Sequence, residues 1–587
     1  MHISAIRIRN FRNFQLFEIG NLTPALVIVG ENNVGKSNLL HALRLVLDPS
    51  LPDTARVLRA EDFWDGLSAP FKGEEIRVSV ELSGYKDDTA AKSLLSDFTV
   101  STTPLTARLT FLYRPRPQLT GLGTEADYEF IVFGGADENV RIRYDVRRYV
   151  SLRVLAALRD AEGDIQNWGR SPLRPLLERL RLTDDDLRSV TESLGEATSS
   201  LLAQPLVKKL SELLTERLKT MTGSFFPVET SLGLAAMRRD QVLRAIRLFV
   251  EGEKTRPISQ ASLGIANLLF LALILENIAE QREALEVITT ILAVEEPEAH
   301  LHPHIQRILF RYLLRLDVPL LLTTHSPQIA SVTPLAALLL SRTAGGEGTK
   351  PFTTRGADLT EQEARDVERY LDVTRADMLF AKGVILVEGV AEVYVIGAFA
   401  SEMGIDLDAH GITVCSVQGA DFRPYDRLLG GASLAIPHIV VTDGDEDPDA
   451  RGFSHDGLRR GLALIDERLT GEVDESEVIS TRARLASKGI FVGRHSLEVD
   501  LLPSAAQSMR DAFAEINQSV RSRTTFADLI GEALDGGAIE RSRLMAYIDR
   551  IGKGRFAQRL ADHLQNVEPP EYIATAINRI LEMVSNS

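Results

Sequence analysis

Two textures alternate along the chain. Ile3, Ile6, Ile8 and Phe11 mark a first strand, and Ala25-Leu26-Val27-Ile28-Val29 is a continuous apolar run of the kind buried on both faces of a parallel sheet. A glycine-rich turn and a helix over 38–47 follow. Residues 75–82 and 107–113 alternate with period two, which predicts half-buried antiparallel strands and hence a mixed sheet. From 171 to 221 the spacing becomes helical and charged, with Leu176, Leu177, Leu180, Leu187, Leu201, Leu202, Leu206, Leu210, Leu213 and Leu214 on the repeat. That pattern predicts a helical insertion, serving either as a partner-facing surface or as a cover for the sheet. Strand-like runs return at 287–294 and 320–323, a loop with Gly345, Gly346, Gly348 and Pro351 breaks the pattern, and a second α/β unit opens at 383–387. The segments read as 1–170, 171–222, 223–345, a linker at 346–380, and 381–587.

Composition narrows this picture. With 587 residues, 44% apolar and 25% charged, the chain has the make-up of a multidomain globular protein with packed cores. Sixty-six Lys and Arg against 82 Asp and Glu leave a formal charge of −16, so any grip on nucleic acid has to come from a local basic surface. The single cysteine, Cys415, can build neither an internal disulfide nor a zinc site of the cysteine-rich kinds, which points to a reducing, cytoplasmic setting. The opening residues carry basic side chains inside the apolar pattern, unlike a signal peptide. The longest apolar stretch, 263–278, is broken by Asn267, Glu276 and Asn277 and is shorter than the roughly 20 residues of a bilayer span. No membrane association is expected.

Gly30-Glu31-Asn32-Asn33-Val34-Gly35-Lys36-Ser37 fits G-x-x-x-x-G-K-[ST] between a buried strand and a helix. Glycines Gly30 and Gly35 let backbone N–H groups, including those of Asn32 and Asn33, turn inward around phosphate oxygens. Lys36 meets the β- and γ-phosphates, and Ser37 reaches Mg²⁺. Ile291-Leu292-Ala293-Val294-Glu295-Glu296-Pro297-Glu298 is an apolar strand ending in acids; Glu295 is assigned to the metal and Glu296 to the attacking water. His325, in Thr323-Thr324-His325-Ser326, ends another strand where it can sense the γ-phosphate. Ser259-Gln260-Ala261-Ser262-Leu263-Gly264 precedes an apolar helix over 265–276.

With that segment the chain resembles the ABC ATPase superfamily of the RecF and SMC type. The resemblance implies ATP as cofactor and a nucleotide-bridged homodimer in which Ser262 and Gly264 of one copy touch the ATP held by the other. Glu295 stands where the superfamily usually has aspartate, so slow turnover is expected. Pro104, Pro115, Pro117, Pro172 and Pro227 and the absence of sustained heptads between Ser37 and Glu295 exclude a long coiled-coil arm. His300, His302 and His304 follow the acidic strand directly and are read as part of an interface loop rather than as metal ligands.

A second acidic pattern lies downstream. Glu388 ends the run Val384-Ile385-Leu386-Val387, Glu392 follows in the first turn of a helix, and the strand over 436–442 ends in Asp443-Gly444-Asp445. Carboxylates at neighbouring strand tips converge only when divalent cations compensate their repulsion. Glu446, Asp447 and Asp449 are read as a solvated loop. The pair of motifs resembles the Toprim domain, with Glu388, Asp443 and Asp445 at its acidic positions. An ABC-type head followed by Toprim resembles the OLD (overcoming lysogenization defect) family of nucleases. That resemblance implies two divalent metals, Mg²⁺ or Mn²⁺, a further acid and a lysine. Glu498, in Arg494-His495-Ser496-Leu497-Glu498-Val499-Asp500, is the candidate second-metal ligand ahead of Asp500, and Lys553 is the candidate lysine. Between Arg541 and Arg559 six basic residues face one acid, so this is the expected phosphate-contact surface.

The expected fold is thus α/β: an ABC-type ATPase head of mixed sheet plus helices, carrying a helical insertion, then a C-terminal Toprim domain. The expected activity is metal-dependent DNA cleavage under control of the ATPase, in phage defence or DNA processing. A RecF-like repair ATPase whose Toprim fold grips DNA without cutting is the alternative. A primase or topoisomerase fits less well. A helicase of the UvrD type, as in the Gabija system, is a further expected partner from the resemblance.

Overall fold

The computed structural model describes residues 1–31, 34–117, 123–156, 160–180, 183, 190, 193, 204–222, 243–244, 246–250, 256–343, 345–371, 373–445, 448–449, 452–453, 455–468 and 475–586. The chain forms two compact units, Met1–Ala157 with Thr289–Ser587, and Leu158–Ile288.

The first unit contains three main sheets. One is antiparallel: Phe14–Ile19, His2–Phe11, Ile76–Ser83 and Leu105–Pro115 lie side by side, and both Thr99–Thr102 and Tyr128–Gly134 pair with Leu105–Pro115. Ile6 and Ile8 are buried while Arg7 and Arg9 between and beside them are exposed. The outer face is laced by cross-strand pairs such as Arg108–Glu81 at 2.7 Å. The second sheet runs Thr349–Thr353, Leu338–Thr343, Ala25–Val29, Leu320–Thr324, Thr289–Glu295, Val150–Leu155; only the first of these pairs antiparallel. The strands expected in one mixed sheet therefore divide between two. Alternating strands can leave one face wet, whereas continuous apolar runs need cover on both faces.

The third sheet is parallel throughout, in the order Ile412–Ser416, Gly383–Val387, His438–Thr442, Ile490–Val492. Because the second strand in sequence lies on one side of the first and the third on the other, a switch point opens between Gly383–Val387 and His438–Thr442. In open parallel sheets the crevice at such a point is where ligands bind. Helices Val390–Glu402, Leu502–Ile516, Val520–Asp535, Ala538–Ile551, Lys553–Ala561 and Glu571–Ser585 bury one extended core with this sheet, including Phe399, Phe513, Phe526 and Phe556.

In the second unit, helix Leu263–Glu283 is longer than the apolar run suggests. Ala279-Glu280-Gln281-Arg282-Glu283 are good helix formers, and the helix ends at Glu283, just before Leu285, whose φ is 55°. At 21 residues the helix is long and apolar enough, by length and composition, to cross a bilayer. It nevertheless packs with Ala161–Gln166 and Leu173–Arg179, and buried Asn277 donates to Pro172 O at 2.6 Å and Leu273 O at 2.8 Å. A polar anchor of that kind belongs to a protein core. Within the expected insertion, helix Pro205–Thr222 exposes Leu206, Leu210, Leu213 and Leu214; Leu187, Leu201 and Leu202 lie outside the described residues.

Candidate functional site

Three parallel strand tips assemble the first site. Register pairs Glu295 with Thr323, and Thr323 with Ile28, so the acids, His325 and the turn after Val29 emerge at one edge of the sheet. Helix Lys36–Leu47 starts there with Gly35 at φ 83°, a conformation costly for residues with a Cβ. A Cβ at Gly35 would also lie 2.0 Å from Asn13 Nδ2. Asn32 and Asn33 lie outside the described residues. Lys36 is 7% exposed and donates to Gly30 O and Glu31 O, each at 2.8 Å. Burial lowers its ammonium to about 8, against the opposing pull of Glu296, Glu298 and Glu31. Ser37 sits exposed in the helix's first turn.

Glu296, at φ 44°, lies 3.7 Å from His325 Nε2. Burial lowers the imidazole of His325, Lys36 pushes the same way, and Glu296 opposes them. Glu298 is the member that sequence reasoning left without a role. It accepts from Thr324 Oγ1 at 2.8 Å and His325 N at 2.7 Å, and burial raises its carboxyl. Its other oxygen is buried with no hydrogen-bond partner among the described residues. Asn13 was also missed. From the first hairpin it donates to Val34 O at 2.9 Å and Thr349 Oγ1 at 2.8 Å, and accepts from Asn38 at 2.8 Å, clamping the phosphate turn. Its only sequence signal is position in a tight turn. Ser262 and Gly264 belong to the other unit, where exposed Ser262 caps helix Leu263–Glu283 and Gly264 is buried. His302 caps helix Pro303–Leu313 by accepting from His304 N at 3.3 Å, and His304 Nδ1 meets Arg307 at 2.6 Å. Those imidazoles are thereby engaged in capping and pairing.

The second site lies at the switch point. Val387 registers with Val441, placing Glu388 beside Thr442 and Asp443. Glu388 Oε1 accepts from Thr442 Oγ1 and, at 3.1 Å, from Asp443 N. Glu392 returns to the start of its helix and accepts from Gly389 N at 2.9 Å. Asp443 Oδ1 accepts from Leu497 N at 3.0 Å, which ties the Asp-Gly-Asp turn to the segment carrying Glu498. Gly444 fits because its neighbours leave no room: a Cβ there would lie 2.2 Å from Gly493 O and 2.3 Å from Arg494 O. Asp445 follows at φ 47°.

The electrostatics bind these acids into one cluster. Asp443 is raised well above the usual carboxylate range by burial and then by Glu388, Glu392, Glu498 and Asp445. Burial also raises Glu392 and Glu498, the latter only 4% exposed. Lys553 begins helix Lys553–Ala561. Burial works to lower its ammonium, but Glu498, Asp549, Asp443 and Glu392 outweigh this and raise it. Gly552 before it, at φ 94°, allows the sharp entry. Asp500, the second-choice ligand, instead accepts from Arg494 N at 2.8 Å and His495 N at 2.9 Å and so fixes the loop. Arg541, in the basic stretch, meets His495 Nε2 at 2.7 Å. Arg460, unforeseen, donates to Asp445 and Glu388. Glu446 and Asp447 lie outside the described residues, as does the side chain of Asp449.

The structure therefore brings Glu388, Glu392, Asp443, Asp445, Glu498 and Lys553 into one electrostatic neighbourhood. Oxygens of Glu388, Glu392, Asp443 and Asp445 are held on local hydrogen bonds, and among the described residues no three acids form a ready-made ligand cage. Repulsion among five carboxylates is what a divalent cation relieves, so the chemistry of the donor set suits a hard divalent cation.

Two family models match parts of the chain. Residues 25–331 match the family described as AAA domain, putative AbiEii toxin, Type IV TA system, and residues 379–445 match the Overcoming lysogenization defect protein-like TOPRIM domain. The OLD nuclease of Thermus scotoductus is 25% identical over 528 residues, covering 85% of this chain and 91% of its own. Endonuclease GajA of Bacillus cereus is 24% identical over 461 residues, covering 76% and 75%. The C-terminal region of the Burkholderia pseudomallei OLD protein is 36% identical, covering 35% of this chain and 99% of that one, with a TM-score of 0.30. The chain belongs to the AAA-domain family that residues 25–331 match, and it joins that ATPase domain to an OLD-like Toprim domain.

Proposed function

We propose that this chain is a metal-dependent DNA endonuclease regulated by ATP binding to its head, acting in phage defence or DNA processing. The supporting observation is the convergence of Glu388, Asp443 and Asp445 with Glu392, Glu498 and Lys553 at the switch point of a parallel sheet. The OLD nuclease and GajA names of its relatives extend to it on that ground.

Glu388, Asp443 and Asp445 would hold one Mg²⁺ or Mn²⁺, and Glu392 with Glu498 a second. When bound, such a pair supplies an activated water and stabilises the leaving oxygen. The chain's own residues do the positioning. Leu497 N–H orients Asp443, Gly389 N–H orients Glu392, and Lys553 stands beside Glu498 where it can neutralise charge growing on a phosphate. Arg541, Arg543, Arg550, Arg555 and Arg559 extend that positive character along neighbouring helices toward the DNA backbone.

In the head, Gly30, Gly35, Lys36 and Ser37, with Asn32 and Asn33, would receive ATP and its Mg²⁺; Glu295 and Glu296 follow in their expected roles, with His325 at the γ-phosphate. Closure of a nucleotide-bridged homodimer through Ser262 and Gly264 is part of the proposal, as are a UvrD-type helicase partner and a cytoplasmic location. A path from head to nuclease is at hand in Arg342. It lies in the strand beside Ala25–Val29, feels Glu31 of the phosphate turn, and donates to Ala435 O at 2.7 Å just before the strand that carries Asp443.

The test is nicking of supercoiled plasmid with Mg²⁺ or Mn²⁺, with and without EDTA and ATP. Glu388→Gln and Asp443→Asn are expected to abolish cleavage while leaving ATP binding intact. Metal-independent cleavage, undiminished cleavage by both variants, or a wild-type protein that binds DNA and hydrolyses ATP without nicking would refute the reading; the last is what a RecF-like clamp would do.

A further inference from the structure

Arg460 has no motif to announce it, yet it sits among the acids. It projects from helix Asp456–Leu464, whose start is packed against the Asp-Gly-Asp turn: Gly457 N donates to Gly444 O at 3.1 Å, and a Cβ at Gly457 would lie 2.2 Å from Asp443 O. One guanidinium nitrogen, Nη1, donates to Asp445 Oδ2 at 2.8 Å. The other, Nη2, donates to Glu388 Oε1 at 3.1 Å, Asp443 O at 2.8 Å and Thr442 Oγ1 at 3.3 Å. The group thus spans the two carboxylates that a divalent ion at this turn would share.

The fit is one of charge rather than shape. An arginine matched to its partner engages one carboxylate through two parallel N–H bonds, whereas Arg460 divides its two ends between different acids. Its Nε is buried with no hydrogen-bond partner among the described residues, so one donor is desolvated without return. With a side chain 23% exposed, the guanidinium also keeps a route to solvent. Those features suit a cation that can be displaced.

We propose that Arg460 is a resident counter-ion that bridges Glu388 and Asp445 in the metal-free protein and competes with the divalent ion, so that metal loading requires the guanidinium to leave. The proposal rests on the metal-centre reading above and adds to it a device that sets how readily the site loads. An internal cation lowers apparent metal affinity because a metal taken up by Glu388 and Asp445 must first break two ion pairs. It also holds together acids that would otherwise repel one another.

The experiment measures Mn²⁺ binding to nucleotide-free, full-length protein by calorimetry and by the free-ion paramagnetic resonance signal, with melting temperature followed in parallel. Arg460→Met is expected to bind Mn²⁺ roughly five- to tenfold more tightly than wild type. It is also expected to melt lower without metal and to gain more on adding Mn²⁺. Arg460→Lys, a single-point donor that cannot span both acids, is expected to fall between the two and serves if the methionine variant does not fold. Unchanged or weaker Mn²⁺ binding in these variants overturns the proposal. Glu388→Gln separates the two levels. If it abolishes Mn²⁺ binding while the Arg460 variants bind like wild type, the counter-ion role alone falls. If Glu388→Gln binds Mn²⁺ like wild type, the metal-centre reading falls and this proposal with it.

Discussion

Gly444 lies between two proposed metal ligands, and its replacement by alanine tests how closely the carboxylates must be placed. The added Cβ would meet Gly493 O at 2.2 Å and Arg494 O at 2.3 Å, both main-chain atoms that no rotamer change can move. An ordinary carbon–oxygen contact is about 1 Å longer, so the turn and the loop after Ile490–Val492 must separate by about that much. The hydrogen bond from Gly444 N to His495 O, 2.9 Å, stretches with them. So does the Leu497 N–H bond that orients Asp443. Overpacking of this kind costs about 1–3 kcal/mol of stability. A displacement of about 1 Å at reacting groups costs on the order of a hundredfold in rate. Gly444→Ala should therefore nick plasmid about a hundredfold more slowly than wild type, with ATP binding preserved. Gly431→Ala, where an added Cβ meets nothing within 4 Å, is the control and should cleave normally. Cleavage by Gly444→Ala within about threefold of wild type, with an unchanged melting temperature, would refute the reasoning.

Other outcomes follow from the same contacts. Lys36 is ordinarily protonated to 10.5 but only to about 8 in the folded chain, so the unfolded state binds more protons between those values and stability should rise with pH across that window. Lys36→Met should stabilise the nucleotide-free protein most below pH 8, the advantage fading toward about 10.5, as read by melting curves. ATP affinity of the wild type should fall as pH climbs through about 8, since the phosphates lose a cation; a flat fluorescence-binding profile from pH 7 to 9 would contradict it. Asn13→Ala removes three hydrogen bonds from the phosphate turn and should weaken ATP binding roughly tenfold, with little effect on metal binding at the Toprim acids. Arg342→Ala cuts the bond to Ala435 O and should bring the ratio of nicking with and without ATP toward unity while both partial activities persist; an unchanged ratio argues against this path.

Much of the site is legible in the sequence because parallel sheets place function at strand ends. An apolar run stopping at Glu295, His325, Glu388 or Asp443 fixes both the strand and the outward position of the residue after it. Lys553 and the surrounding arginines stand out as a local excess of positive charge in an acidic chain. Residues that act from a distance in sequence carry no such mark. Arg460 lies in an unremarkable amphipathic helix, Asn13 in a hairpin turn, and each gains meaning only from what the fold sets beside it. Asp500 and Glu498 are two residues apart with the same chemistry. Only the backbone hydrogen bonds of Arg494 and His495 to Asp500, and the burial of Glu498 beside Lys553, separate a loop fastener from a candidate ligand. The division of strands between two sheets was hidden because periodicity reports how many faces are covered, not which strands are neighbours.

Whether acids from separate strands share divalent ions can be read from anomalous diffraction at the manganese edge, using crystals of the full-length protein soaked in Mn²⁺. One manganese peak is expected within about 2.5 Å of carboxylate oxygens of Glu388 and Asp443 and a second beside Glu498, the first lost in Glu388→Gln or Asp443→Asn crystals. Manganese bound elsewhere, or these acids still on their metal-free hydrogen bonds at saturating Mn²⁺, would contradict such sharing.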